Sequence, residues 1–220
     1  MFWNSFHFKD IRTRKVKSMN TQDNDQSASA QEEYNLGNTC YAAGNVQKAC
    51  EHWKNVSRQD HAGVYAWAQY KLGDLFDLEG DIGEAREHWG NICLEDDLRL
   101  YAIAQFNIGD SFVKEGKIEQ ARAHWQQVPQ EDYDGAYAWA QYNLGTSFEK
   151  EGNTPEARPY WLNVRRQDNG GAYAWSQLKL GNSYSAEDKK EQAREHWQNI
   201  HQEDDPEAYM KAQDYLEKSF

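Results

Sequence analysis

Three cysteines, Cys40, Cys50 and Cys93, are too few and too irregularly spaced for a disulfide framework, a zinc site or a redox pair. They read as reduced, small core residues of a cytoplasmic protein. No run of about 18 apolar residues exists, which excludes a membrane-spanning helix. A secretory signal is also missing: Phe2-Trp3 and Phe6-His7-Phe8 precede the basic stretch, the reverse of a signal's order. The sequence contains no Walker-type phosphate loop and no Gly-x-Gly-x-x-Gly after a strand pattern. Basic residues are scarce outside the first 18 positions. There Lys9, Arg12, Arg14, Lys15 and Lys17 face Asp10, a net +4, which leaves −16 for the rest of a chain whose total is −12. A body that acidic repels phosphate backbones and argues against nucleic acid as a partner. It favours a basic protein or peptide, although acidity also serves plain solubility.

Aromatics, in contrast, abound: nine Trp, 13 Tyr and eight Phe supply enough buried area to build a core despite low mean hydropathy. Residues 1–29 stand apart as a disordered, basic and polar N-terminal segment, rich in Ser, Asn, Asp and Gln from Asn20 to Ala30, with Met19 as a second candidate start. Beyond it the dominant signal is repetition. Leu36-Gly37, Leu72-Gly73, Ile108-Gly109, Leu144-Gly145 and Leu180-Gly181 recur at an interval of 36 residues. Trp53, Trp89, Trp125, Trp161 and Trp197 keep the same interval, as do Ala49, Ala85, Ala121, Ala157 and Ala193, and Tyr65, Tyr101, Tyr137, Tyr173 and Tyr209.

Each unit reads as two helices. Tyr65, Ala68, Leu72 and Phe76 share one helical face, Gly80 suits a left-handed C-terminal cap, and Asp81 with Glu84 forms a capping box. Ala85, Trp89 and Ile92 form a second apolar stripe. Gly44, Gly116 and Gly152 mark the same turn elsewhere, but Asp188 replaces the glycine in unit five and predicts a less regular turn there. The mid-helix glycines cost about 1 kcal/mol each against alanine, which makes sense where a partner helix crosses closely. Ala49 and its equivalents are then the facing surface, and the five Trp rings fill the space between successive units.

Leu144-Gly145, Phe148, Gly152, Ala157 and Trp161 together resemble the tetratricopeptide repeat, with Sel1-like repeats as a close neighbour. The departures are a 36-residue unit and Gln69, Gln105, Gln141 and Gln177 (Glu33 in unit one) where the family has an aromatic. The two extra residues are read as lengthening each first helix, capped by Asp60, Asp96, Asp132, Asp168 and Asp204. The resemblance implies an all-α, right-handed superhelical solenoid of five repeats at 30–65, 66–101, 102–137, 138–173 and 174–206, with a capping helix at 207–220. First helices then line a concave groove that holds a partner. The groove stripe comprises Trp67, Tyr70 and Asp74, Ile103, Phe106 and Asp110, Trp139 and Tyr142, and Trp175. A carboxylate-gripping groove does not fit this aromatic and acidic set.

Catalytic and metal-binding readings fare poorly. His52, His88, His124 and His196 recur, but equivalent residues of neighbouring helices stand about 8–10 Å apart, too far to share one zinc. Glu95-Asp96, Glu131-Asp132 and Glu203-Asp204 suit helix starts better than acid–base chemistry. The expected function is a cytoplasmic, monomeric, non-enzymatic adaptor or scaffold without cofactor or metal, binding a basic or aromatic-bearing protein or peptide. The alternative is a self-associating structural repeat protein.

Overall fold

A computed structural model describes residues 27–131 and 135–218. The basic stretch 1–18, the lead-in as far as residue 26, Asp132 and Phe220 lie outside them. The described residues are all-helical. Helix α1 runs over 27–42 and α2 over Val46–Asn55. They are followed by α3 (Ala62–Glu79), α4 (Ile82–Gly90), α5 (Leu98–Lys114) and α6 (Ile118–Trp125). Then come α7 (Ala136–Lys150), α8 (Thr154–Leu162), α9 (Gly170–Ser185), α10 (Lys190–Gln198) and α11 (Pro206–Lys218). The chain divides into two compact units, one ending at Asp97 and the other starting at Leu98. The first holds the pairs α1/α2 and α3/α4; the second holds α5/α6, α7/α8 and α9/α10, followed by the single helix α11. The first helices begin a few residues before the unit boundaries drawn from the Leu-Gly register: α3 starts at Ala62 and α9 at Gly170, so positions 65 and 173 fall inside helices.

Each pair turns in the same way. Gly80 takes φ 84° and Asp81 donates its backbone N–H to Phe76 O at 2.8 Å, while the Asp81 carboxylate accepts from the N–H of Glu84 at 3.3 Å. In unit five Asp188 adopts φ 57° itself, and Lys189 N–H bonds Tyr184 O at 3.0 Å, matching the Asn153 N–H to Phe148 O bond of 3.0 Å beside Gly152. The turn is therefore as regular there as elsewhere, because Asp tolerates the left-handed region better than most residues with a Cβ.

The entry to the first helices differs from expectation. The side-chain caps belong to the residue after the recurring Asp: His61 Nδ1 accepts from Val64 N–H, Asn169 Oδ1 from Ala172 N–H, and Asp205 Oδ1 from Ala208 N–H. Asp96 and Asp204 instead accept from Cys93 N–H and His201 N–H, three residues back, and close the loop between pairs.

In the core, Ala49, Ala85, Ala121, Ala157 and Ala193 are fully or almost fully buried, with Trp53, Trp89, Trp125, Trp161 and Trp197 beside them. The mid-helix glycines face those rings. A Cβ on Gly145 would lie 2.5 Å from Nε1 of Trp161 and 2.9 Å from Ala157 O. Each Trp thus first fills the crossing of its own pair, and it also reaches onward: Trp53 packs with Ala68 and Leu72 of α3, and Trp161 with Leu180 of α9.

Candidate partner-binding face

In the second unit the first helices pack side by side, α5 on α7, α7 on α9 and α9 on α11. This array carries Ile103, Phe106, Asp110, Trp139, Tyr142 and Trp175, all half-buried. Trp139 and Tyr142 meet edge to face, ring centres 5.7 Å apart and planes at 89°. Trp175 donates its indole N–H to Asp205 at 3.2 Å, and the Lys211 ammonium lies 4.5 Å over its ring. In the first unit α3 repeats the motif, Trp67 against Tyr70 at 6.1 Å and 90°, with Trp67 the more exposed at 37%. Trp–Tyr pairs one helical turn apart form rigid apolar ledges of low conformational entropy.

The two acids of the stripe are not free surface charges. Asp110 Oδ1 accepts from Trp125 Nε1–H at 3.1 Å and from Asn143 Nδ2–H at 3.0 Å. Burial pushes its carboxyl up to about 6, against a partial lowering by those two donors. Asp74 Oδ1 accepts from Trp89 Nε1–H at 3.3 Å, and burial raises it too. Both carboxylates hold a core indole in place. In unit five Asn182 does the same for Trp197, at 3.1 Å. Asp110 also opens onto a cleft of about 560 Å³, whose walls include Lys114, Trp125, Asn143, Thr146 and Lys150. Locally this cleft mixes both signs of charge, unlike the chain as a whole.

Two further sets of residues, whose partners the sequence does not show, hold the helices in place. Gln69, Gln105 and Gln177, at the position where an aromatic was expected, lie 2.9, 2.8 and 2.8 Å from the Nδ1 atoms of His88, His124 and His196; Glu33 meets His52 at 2.9 Å. Three of these imidazoles also stack, on Phe76, Phe112 and Tyr184. Burial lowers His88 and His196 below the usual imidazole value. The second set joins one pair to the next. Arg122 of α6 donates to Ser147 Oγ of α7 at 2.7 Å, pairs with Glu151 at 2.8 Å and lies 3.9 Å over Phe148. Arg158 of α8 repeats this on Ser183 and Tyr184 of α9 and on Glu187 just beyond its end. A spacing of 25 residues in the 36-residue frame was the available signal.

No His/Cys/Asp/Glu group suited to a metal ion is present among the described residues, and none of their helices is long and apolar enough to cross a membrane. Tetratricopeptide-repeat family models match residues 106–172 and 175–205. Those two stretches are tetratricopeptide repeats. The matches take in Gly109, Ala121 and Trp125, Gly145, Ala157 and Trp161, and Gly181, Ala193 and Trp197, the key positions of the last three pairs. Proteins built from these repeats are in general protein-interaction modules. In fold, 17 solved chains match. One, described as a functional characterization of Pseudomonas aeruginosa PilF, is 18% identical, with a TM-score of 0.56 over 79% of this chain and 76% of that one. At that identity the likeness concerns the fold alone. No curated protein sequence matches this chain significantly.

Proposed function

We propose that this chain is an adaptor or scaffold whose first-helix face holds a basic or aromatic-bearing segment of another protein. The observation that carries this reading is the recurrence of half-exposed Trp–Tyr ledges at Trp139/Tyr142 and Trp67/Tyr70. Large, rigid aromatics that stay partly in water are the side chains that most often anchor a partner. The net charge of −16 outside the first 18 residues supports a basic ligand. Asp74 and Asp110 contribute to that field while also holding Trp89 and Trp125. The mixed cleft beside Asp110 favours anchoring by the ledges over a purely electrostatic grip.

The test starts from a partner captured by the intact chain, with binding kinetics measured at two ionic strengths. Central aromatics act mainly on complex lifetime, and surrounding charges on association. Trp139→Ala should therefore speed dissociation, by tenfold or more for a loss of about 1.4 kcal/mol. Asp74→Asn with Asp110→Asn should slow association and flatten its salt dependence. A folded Trp139→Ala protein that binds like the parent would remove the ledges from the site.

A further inference from the structure

The two ends of the repeat array are finished differently. At the C-terminal end, Ala208 and Ala212 of α11 are buried with Trp197 and Ile200, and Tyr215 stacks on Trp197 at 5.2 Å. At the N-terminal end α1 has no such cover among the described residues. Leu36 is 39% exposed, whereas its register equivalents Leu72, Leu144 and Leu180 are at 0% and Ile108 at 3%. Leu72 is buried because α2 of the preceding pair supplies Ala49, Trp53 and Val56; α1 follows no described pair. Tyr41, on the same helix, is 44% exposed. Beneath it Trp53, only 1% exposed, has an indole N–H with no acceptor among the described residues. In the other four repeats that N–H bonds Asp74, Asp110, the carbonyl of Tyr142 or Asn182.

We propose that residues 1–18 of the same chain dock on this open edge and act as its N-terminal cap. Their composition is complementary: Phe2, Trp3, Phe6 and Phe8 supply the apolar surface, and the net +4 meets a body of −16. The tether is long enough. Residues 19–26 can span up to about 29 Å at 3.3–3.6 Å per residue, and a 16-residue α1 is about 24 Å long. Repeat arrays need their terminal apolar faces covered to remain soluble and ordered. Residues 27–29, placed with the N-terminal segment on composition, are already helical. The first 18 are then a structural part of repeat one rather than a tail outside it.

The experiment compares amide hydrogen exchange and solution mass for the full chain, a deletion of residues 2–18, and a full-length variant with Phe2, Trp3, Phe6 and Phe8 changed to Ser. Exchange in α1 and α2 should speed by about tenfold or more in both variants. A synthetic peptide of residues 1–18, added to the deleted protein, should restore protection there and nowhere else. Unchanged exchange in α1 and α2 would overturn the proposal. So would loss of protection confined to 67–74 or 139–142, which would place the segment on the aromatic ledges. Protection of α1 that rises with protein concentration, together with a dimer mass, would show that a second copy covers the edge instead.

Discussion

Trp125 donates its indole N–H to a carboxylate oxygen of Asp110 at 3.1 Å, and the acceptor is a buried acid with a carboxyl raised to about 6 from an ordinary 3.8. Between those two values the folded chain holds a proton that the unfolded chain has released. Stability contributed by this group is therefore greatest at low pH and falls as pH rises through about 6.

Asp110→Asn should remove that penalty while keeping an oxygen for Trp125, as Asn182 does for Trp197. At about pH 7 the variant should gain about 1–2 kcal/mol, after discounting 1.36 kcal/mol per unit for partial solvent screening. At about pH 4 the gain should vanish. Urea unfolding at both pH values decides; an equal gain at each would show that Asp110 is not desolvated in the fold.

Buried imidazoles act in the opposite direction. His88 and His196 titrate below their usual range, so the unfolded chain binds protons first as pH falls below about 6.5, and stability drops with it. Tyr160 stacks on Phe148 at 5.4 Å much as His196 stacks on Tyr184 at 5.3 Å. His196→Tyr should keep the stack and lose part of the acid sensitivity, read as a smaller fall in melting temperature between about pH 7 and about pH 5. An unchanged fall would assign the acid response elsewhere.

An alanine in place of a mid-helix glycine ordinarily stabilises a helix by about 1 kcal/mol. Gly145→Ala should do the reverse, because its Cβ would meet Trp161 Nε1 at 2.5 Å and the backbone of Ala157 at 2.9 Å. A loss of about 1–3 kcal/mol is expected for such overpacking. Gly83→Ala, whose Cβ would touch only Asp81 at 3.6 Å, is the control and should be neutral or stabilising. Thermal melts of the two variants should move in different directions.

Arg158→Met removes a charge-assisted bond to Ser183 and should cost about 1.5–3 kcal/mol. Arg158→Lys should not rescue it, since one ammonium cannot reach Ser183 and Glu187 while also lying flat over the Tyr184 ring. Full rescue by lysine would reduce the arginine to a bare positive charge.

The repeat length, the helix pairs and the close approach of Ala157 to Gly145 were legible because each rests on a residue type that recurs in one register; that the Trp161 ring also lies against Gly145, inside its own pair, was not, because the register does not show which way an indole turns. The turn at Asp188 was misjudged because the register shows a missing glycine but not the backbone angle that Asp itself can adopt. The first-helix caps were placed one residue early because Asp204 and Asp205 look alike in sequence; only loop geometry separates the one that closes the turn from the one that caps the helix. Gln69 with His88 escaped notice because 19 residues separate them, outside any single-helix period. The stripe residues were identified as a face, but the engagement of Asp74 and Asp110 with core indoles depends on which way each carboxylate turns, which spacing cannot show.

The guanidinium clasps have a consequence for how the molecule comes apart. Arg122 and Arg158 tie α6 to α7 and α8 to α9, whereas the same register in the first pair holds Cys50, which offers α3 no ionic hold. In a linear array each seam sets how strongly one module's melting drags its neighbour along. The arginine clasps should couple the melting of α6 to α7 and of α8 to α9 more tightly than an apolar seam would. The α2–α3 seam relies on apolar contact and on Lys54 lying 5.6 Å over Phe76. Heating or pulling therefore has a built-in direction, peeling from the first pair inward, and a partner bound near that end would experience a softer surface than one bound on α7 and α9.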